Sequence, residues 1–264
     1  MGKIVTIAIH KGGTGKTTVA THLAFLAAER GARTLLVDID AQCNATSTVV
    51  AAGSMNLATV LAAADLFEEF DIHKPVHRAS DCLDVLPADD RLLAVERLPD
   101  DAADLFRRRL LKLAENYDLV VIDTPPTMGF AMLAPLLASD FAFAPIVPAR
   151  YAVDGIDSLI LRIQDIQKSL NPDLTFLGLV VNRWRRTSPP QNRIVKDLRD
   201  GIGDYLFPQA LPESAAIENA ANEKRPVWKN AKTGGQRRAA KAVRDVMSYV
   251  LDRVLPNAAA GEAA

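Results

Sequence analysis

The sequence predicts a doubly wound α/β fold, a mostly parallel sheet with helices on both faces. Three observations lead there: apolar, β-branched runs recur along the chain, they alternate with segments of helical periodicity, and the runs are continuous rather than interleaved with polar residues. A continuous apolar strand is covered on both faces, which is the situation of a parallel sheet flanked by helices.

The strand runs are "IVTIAI" at 4–9, "TLLVDI" at 34–39, "LDVLPA" at 83–88, "DLVVIDT" at 118–124, "FAFAPIV" at 141–147 and "FLGLVVN" at 176–182. Helices are expected at 17–29, 102–115, 151–169 and 236–254. The last carries Ala240, Val243, Val246, Met247, Val250, Leu251 and Val254 on one face and Arg237, Arg238, Lys241 and Arg244 on the other. With 264 residues, 49% hydrophobic and 24% charged, the chain can bury one large core. Residues 1–254 read as a single domain and 255–264 as a flexible tail.

Composition excludes several classes. The two cysteines, Cys43 and Cys82, lack C-x-x-C spacing, which argues against a zinc site or a disulfide framework and fits a reducing cytoplasm. No apolar run reaches the length of about 18 residues that a membrane span requires. His73 and His77 have metal-like spacing, but Pro75 between them prevents the helix that would align them. The net charge of -1 hides an asymmetry: residues 1–182 hold 16 Lys+Arg against 23 Asp+Glu, whereas 183–264 hold 15 against 9. The last third is thus a candidate surface for a polyanion.

The most informative stretch is "AIHKGGTGKTT" at 8–18, which follows a strand and opens a helix. That context separates a phosphate loop from a chance match. Gly12, Gly13 and Gly15 let successive backbone N–H groups, with that of Thr14, converge on phosphate oxygens, and the helix adds its positive end. Lys16 is placed to touch the β- and γ-phosphates of a nucleotide, and Thr17 to offer its hydroxyl to Mg²⁺. A magnesium nucleotide site also needs carboxylates at strand ends. Asp123 ends "VVIDTPP", and Asp38 and Asp40 end "LLVDIDAQ", on one side of the strand if it continues; one serves the metal and the other orients the attacking water.

"KGGTGKTT", "LLVDIDAQCNATS", "YDLVVIDTPPTMG", "SDFAFAPIVPARYAVDGI" and "GLVVNR", in order from residue 4 to about 228, resemble the deviant Walker A ATPases, in particular the ParA-type partition ATPases. The resemblance implies that Lys11 is the signature lysine, reaching across an ATP-dependent homodimer to the partner's nucleotide as an arginine finger does elsewhere. It further implies that Asp40 positions the hydrolytic water and Asp123 is the Walker B acid. Thr18 would contact the α-phosphate and Asn182 the adenine edge, with Leu211, Pro212 and Glu213 of "LPES" closing over the base. Thr17, Asp38 and Asp123 form the expected metal set. The chain departs from the family at Ala41, where proline is usual, and at Cys43, where glycine is usual.

Nitrogenase iron proteins and iron–sulfur scaffold proteins share the loop but need cysteines that this chain lacks. MinD-like membrane ATPases end in an amphipathic helix with a bulky apolar face, which "PNAAAGEAA" does not offer. The MinD-like membrane-positioning ATPase stays the first rival reading, and a P-loop biosynthetic ligase is the second. The partition reading implies slow hydrolysis stimulated by a ParB-like partner, a cytoplasmic, nucleoid-associated protein, and non-specific DNA binding without a membrane. Its candidate DNA contacts are Arg183, Arg185, Arg186, Arg193, Lys196, Lys224, Arg225, Lys229, Lys232, Arg237, Arg238 and Lys241. Glu213 and Ala216 stand where many relatives are basic, so the surface is expected to be arranged differently here. Trp184 and Trp228 are expected to be buried or to pack against neighbouring arginines rather than to stack on bases. The loop starts within the first dozen residues, so no preceding helix-turn-helix is expected.

Overall fold

The computed structural model describes residues 1–68, 74–127, 129–149 and 155–256. One eight-stranded sheet organises them, formed by β1 (Lys3–Ile7), β2 (Thr34–Asp38), β3 (His77–Ser80), β4 (Leu83–Leu86), β5 (Leu119–Asp123), β6 (Phe141–Ile146), β7 (Thr175–Trp184) and β8 (Leu206–Pro212). Their spatial order is β3-β4-β2-β5-β1-β6-β7-β8, and every pairing is parallel except β3 with β4.

The helices are α1 (Lys16–Glu29), α2 (Asn44–Val49), α3 (Asp101–Ala114), α4 (Phe130–Ala138), α5 (Ile156–Ser169), α6 (Pro189–Ile202), α7 (Ala215–Asn222) and α8 (Gly234–Val254). Side chains alternate across the pleat, so each apolar run fills two cores. Val5, Ile7, Leu36 and Val121 face α1 and α8, whereas Ile4, Leu35, Val37 and Ile122 face α3 and α4. Further along the sheet, Ala144, Leu179 and Val181 pack against α5 and α6. The continuous apolar strands of the sequence are accounted for by this double coverage.

Two strands escaped the sequence reading, and both are edges. In β3, "HRAS", only alternate residues are partly shielded, so no apolar run marks it. In β8, "LFPQALP" is interrupted by Pro208 and Gln209, and proline is tolerated at an edge because its missing N–H faces away from the ladder. The expected helix at 151–169 begins at Ile156, and residues 151–154 lie outside the described residues, as does His73. So does the expected tail from 257 onward. Among the described residues, no helix is long and apolar enough to cross a membrane.

Candidate nucleotide site

The site lies where β1, β2 and β5 end side by side, the edge at which open α/β sheets bind ligands. Between Ile7 and α1 the chain turns twice through left-handed backbone, at Gly13 (φ 72°) and Gly15 (φ 94°). Gly15 is doubly constrained, since a side chain there would also collide with the Asn182 amide. Helix α1 begins at Lys16 with no side-chain cap and no acidic residue in its first turn. Its first N–H groups, which have no partner within the helix, are left to an anion.

Thr17 and Asp123 meet at the centre: the threonine hydroxyl donates to Asp123 Oδ2 at 2.7 Å. Asp123 is fully buried, and its Oδ1 accepts no hydrogen bond. Burial pushes this carboxyl well above the usual range, and Asp38 adds to the shift, while Thr17 and Lys16 oppose it. Lys16 is also buried, and Nζ donates to the Lys11 carbonyl at 3.4 Å. Desolvation lowers its pKa, countered by the charges of Asp123 and Asp40. Such a cluster is in electrostatic tension that a bound cation relieves. An orphaned buried carboxylate oxygen beside a hydroxyl fits a hydrated Mg²⁺, which takes few protein ligands.

Asp38 and Asp40 do not share a side. Strand β2 stops at Asp38, and Asp38 turns into the fold, where Oδ2 accepts from Thr46 N and Thr46 Oγ1 at 2.7 Å each and Oδ1 from Asp40 N at 3.2 Å. With both oxygens engaged, Asp38 anchors the 40–46 turn. Burial raises its carboxyl to about 6 against the pull of the Thr46 hydrogen bonds, and the Asp40 charge adds to the rise. Asp40 is half-exposed and caps Gln42 N at 3.0 Å. The sequence reading missed Thr46, whose role appears only when the chain returns to Asp38.

Cys43 adopts left-handed backbone (φ 54°) at the start of α2. That conformation accounts for the usual glycine at this position. Burial, reinforced by nearby aspartates, raises its thiol pKa, so it is not an activated nucleophile. Thr18 sits on the first turn of α1, and its carbonyl is held by His22 Nδ1 at 2.7 Å and Thr21 Oγ1 at 3.2 Å.

Asn182 is buried at the end of β7, where its Nδ2 donates to the Thr14 carbonyl at 2.6 Å and its Oδ1 accepts from Arg183 N at 2.8 Å. Its amide pins the phosphate loop in this structure rather than presenting a free edge. Leu211, itself buried, lines a cleft of about 470 Å³ together with Pro212, Glu213, Trp184, Arg185, Arg186 and Arg238.

The basic candidates divide. Arg185 pairs with Glu213 through both carboxylate oxygens, Arg183 reaches Glu218 at 3.4 Å, and Arg186 lies over the Trp184 ring at 4.9 Å. Arg244 covers Trp228 at 5.0 Å, so both tryptophans pack against arginine as expected. Arg193, Lys196, Lys229, Lys232, Arg237 and Arg238 are exposed, and Lys241 is paired with Asp245 one turn away at 2.7 Å. Two candidates are used internally: Lys224 Nζ donates to the Val50 carbonyl at 2.7 Å, and Arg225, half-buried, binds Glu223 and the carbonyls of Pro226 and Lys229.

Among known families, the one described as AAA domain matches residues 2–176. The chromosome partitioning protein ParA of Caulobacter vibrioides is 31% identical over 95% of this chain and 96% of its own length. The sporulation initiation inhibitor protein Soj of Bacillus subtilis is 30% identical over 86% of this chain and 90% of its own. Among solved structures, an ATP complex of the D38A variant of McdA from Cyanothece superposes with a TM-score of 0.81 over 97% of this chain and 96% of its own, at 22% identity, a likeness of fold. With the phosphate loop, the strand-end aspartates and these relatives in register over nearly its whole length, the chain belongs to the ParA-type partition ATPases.

Proposed function

We propose that the protein binds Mg-ATP at the Thr17–Asp123 centre, pairs with a second copy of itself, holds DNA without sequence preference while paired, and is released when a ParB-like partner stimulates slow hydrolysis. The observation that carries this reading is the buried Asp123 carboxylate, with one oxygen on Thr17, the other unsatisfied, and Lys16 alongside.

When bound, the magnesium ion neutralises charge on the phosphate oxygens. Thr17 would hold it directly and Asp123 through water. Lys16 and the N–H groups of residues 12–17 bind the β- and γ-phosphates, and Thr18 lies next in line for the α-phosphate. Asp40 holds the attacking water at the loop edge. Lys11, exposed at the mouth of the loop, supplies positive charge to the nucleotide of the second protomer, so charge developing in the transition state is met only after two copies close. The Asn182 amide, now on Thr14, exchanges that partner for the adenine edge, with residues 211–213 beside it. DNA phosphates meet Arg185, Arg186 and Arg238, which line one cleft from the turn after β7 and from α8.

Light scattering and binding to random duplex DNA, each with ADP and with ATP, test the reading together. A dimer and salt-sensitive DNA retention with ATP alone are expected. A species indifferent to the nucleotide would reject the switch, and ATP-dependent sedimentation with liposomes but not DNA would favour a membrane-positioning role.

A further inference from the structure

We propose that Glu96 is a positioning residue of the ATPase site: its carboxylate holds the segment that follows Asp123 against the phosphate loop, so that this segment responds to the γ-phosphate. The inference rests on ATP hydrolysis at this site and on no property of DNA or of a partner protein.

The chain leaves β5 at Asp123 and runs directly across the loop. Its near end is tied down by the buried Thr124 hydroxyl, which donates to the Ile7 carbonyl at 2.8 Å. Pro126 then passes over the loop, close enough that a Cβ on Gly12 would lie 3.8 Å from Pro126 Cβ. The far end is held by one side chain from another part of the fold. Glu96, on the 3-10 segment Asp90–Arg97, accepts from Thr127 Oγ1 at 3.3 Å, Phe130 N at 2.7 Å and Ala131 N at 3.3 Å.

Phe130 and Ala131 form the first turn of α4, whose N–H groups have no partner within the helix and whose positive end favours a carboxylate. A local Ser, Thr or Asp at the cap would have served that need. The chain has Gly129 there instead, in extended backbone (φ -86°, ψ -161°) open to other residues, and a side chain on Gly129 would run into the Glu96 carboxylate. The glycine therefore answers to the carboxylate and not to the backbone. Glycine and glutamate together make a docking point for Thr127 and the first turn of α4.

The position of that strip gives the contact its consequence. In GTPases, switch segments are ordered by contacts to the γ-phosphate and its magnesium and released on hydrolysis, and the strip next to the Thr17–Asp123 centre is placed to behave in the same way. A strip fixed at Thr124 and Thr127, with Pro126 on Gly12, has little freedom, so a shift at the Glu96 end is passed to the reacting phosphate.

The test uses the full chain with Glu96→Ala, Glu96→Gln and Gly129→Ala, each assayed well below its own melting temperature. The readouts are kcat, KM for ATP, and the ratio of affinities for ADP and a non-hydrolysable ATP analogue. For Glu96→Ala, kcat is expected to fall on the order of tenfold, in line with the cost of misplacing a catalytic geometry. The preference for the analogue over ADP should shrink while ADP affinity holds. Glu96→Gln, which keeps an acceptor for the α4 amides, should recover part of both. Gly129→Ala should reproduce the loss, and the double variant should add little to it. A lowered melting temperature with unchanged kcat and unchanged analogue-to-ADP ratio would make Glu96 a helix cap alone and overturn the proposal. Should Glu96→Ala fail to fold, the same two readouts on Glu96→Gln and Gly129→Ala decide. A wild type that hydrolyses no ATP would overturn the ATPase reading, and this proposal with it.

Discussion

The Thr17 hydroxyl and the Asp123 carboxylate lie 2.7 Å apart although 106 residues separate them in the chain. The contact joins the first turn of α1 to the end of β5, and the buried second oxygen of Asp123 has no hydrogen-bond partner. Asp123→Asn keeps the shape and removes the charge. The variant is expected to stay folded but to lose the stabilisation that saturating Mg-ATP confers on the wild type, about 2.7 kcal/mol at one hundred times Kd. Thermal melts with and without Mg-ATP read this, and an equal shift in both proteins would reject the metal role of Asp123.

Lys16 is buried between opposing influences, with Asp123 and Asp40 near its amine. Lys16→Ala should abolish nucleotide binding, because the ammonium is the charge aimed at the β- and γ-phosphates. Calorimetric titration with ATP checks it. Retained tight binding would refute the phosphate assignment.

Asp40 and Lys11 are expected to separate binding from turnover. Asp40→Ala should bind ATP, lose at least about 10²-fold in hydrolysis as for other lost general-base groups, and accumulate as a dimer. Lys11→Ala should also lose hydrolysis, but without a stable ATP dimer. Single-turnover rates and sizing with ATP distinguish the two, and normal turnover by Lys11→Ala would remove the trans role.

The basic surface can be dissected by salt dependence. Charge reversal at Arg185 and Arg186 should weaken DNA retention and reduce the slope of log affinity against log salt by about 0.9 per lost phosphate contact. Lys224→Ala should leave that slope alone and lower stability instead, since its ammonium holds the Val50 carbonyl. An unchanged slope in the Arg185 and Arg186 variant would move the DNA surface elsewhere.

His22 offers a pH signature of the fold. Burial lowers its pKa from 6.5 to about 4, opposed by the Thr18 carbonyl. Its ring also accepts from Val227 N at 3.2 Å and meets Trp228 edge-on. The folded state holds the imidazole neutral while the unfolded chain protonates it below pH 6.5, so its contribution is complete above 6.5 and is lost as pH falls toward 4. Against His22→Gln, the wild type should lose on the order of 3 kcal/mol across that window. Urea denaturation of both proteins at pH 7 and pH 4.5 measures the difference, and parallel curves would contradict it.

The amino-acid sequence by itself determined what is local and strongly patterned. Six buried strands, the alternation of strand and helix, the phosphate loop with its glycines, and the aspartates that end β2 and β5 were all legible, because burial on two faces and a tight anion-binding turn each impose a residue pattern on a short stretch. The tertiary structure alone decided which polar groups meet. Edge strands β3 and β8 carry no such pattern, since one side of each has no neighbour to satisfy. Asp38 was read beside Asp40 because a strand of period two was extended past its end, and only the return of Thr46 to its carboxylate shows that the strand stops. Arg225 and Lys224 are legible as charge, but the carbonyls they hold come into view only in the fold. Glu96, in a short stretch with no motif of its own, reaches α4 across more than thirty residues. Hydrogen bonds between distant segments depend on how the layers stack, and a one-dimensional pattern holds no record of that.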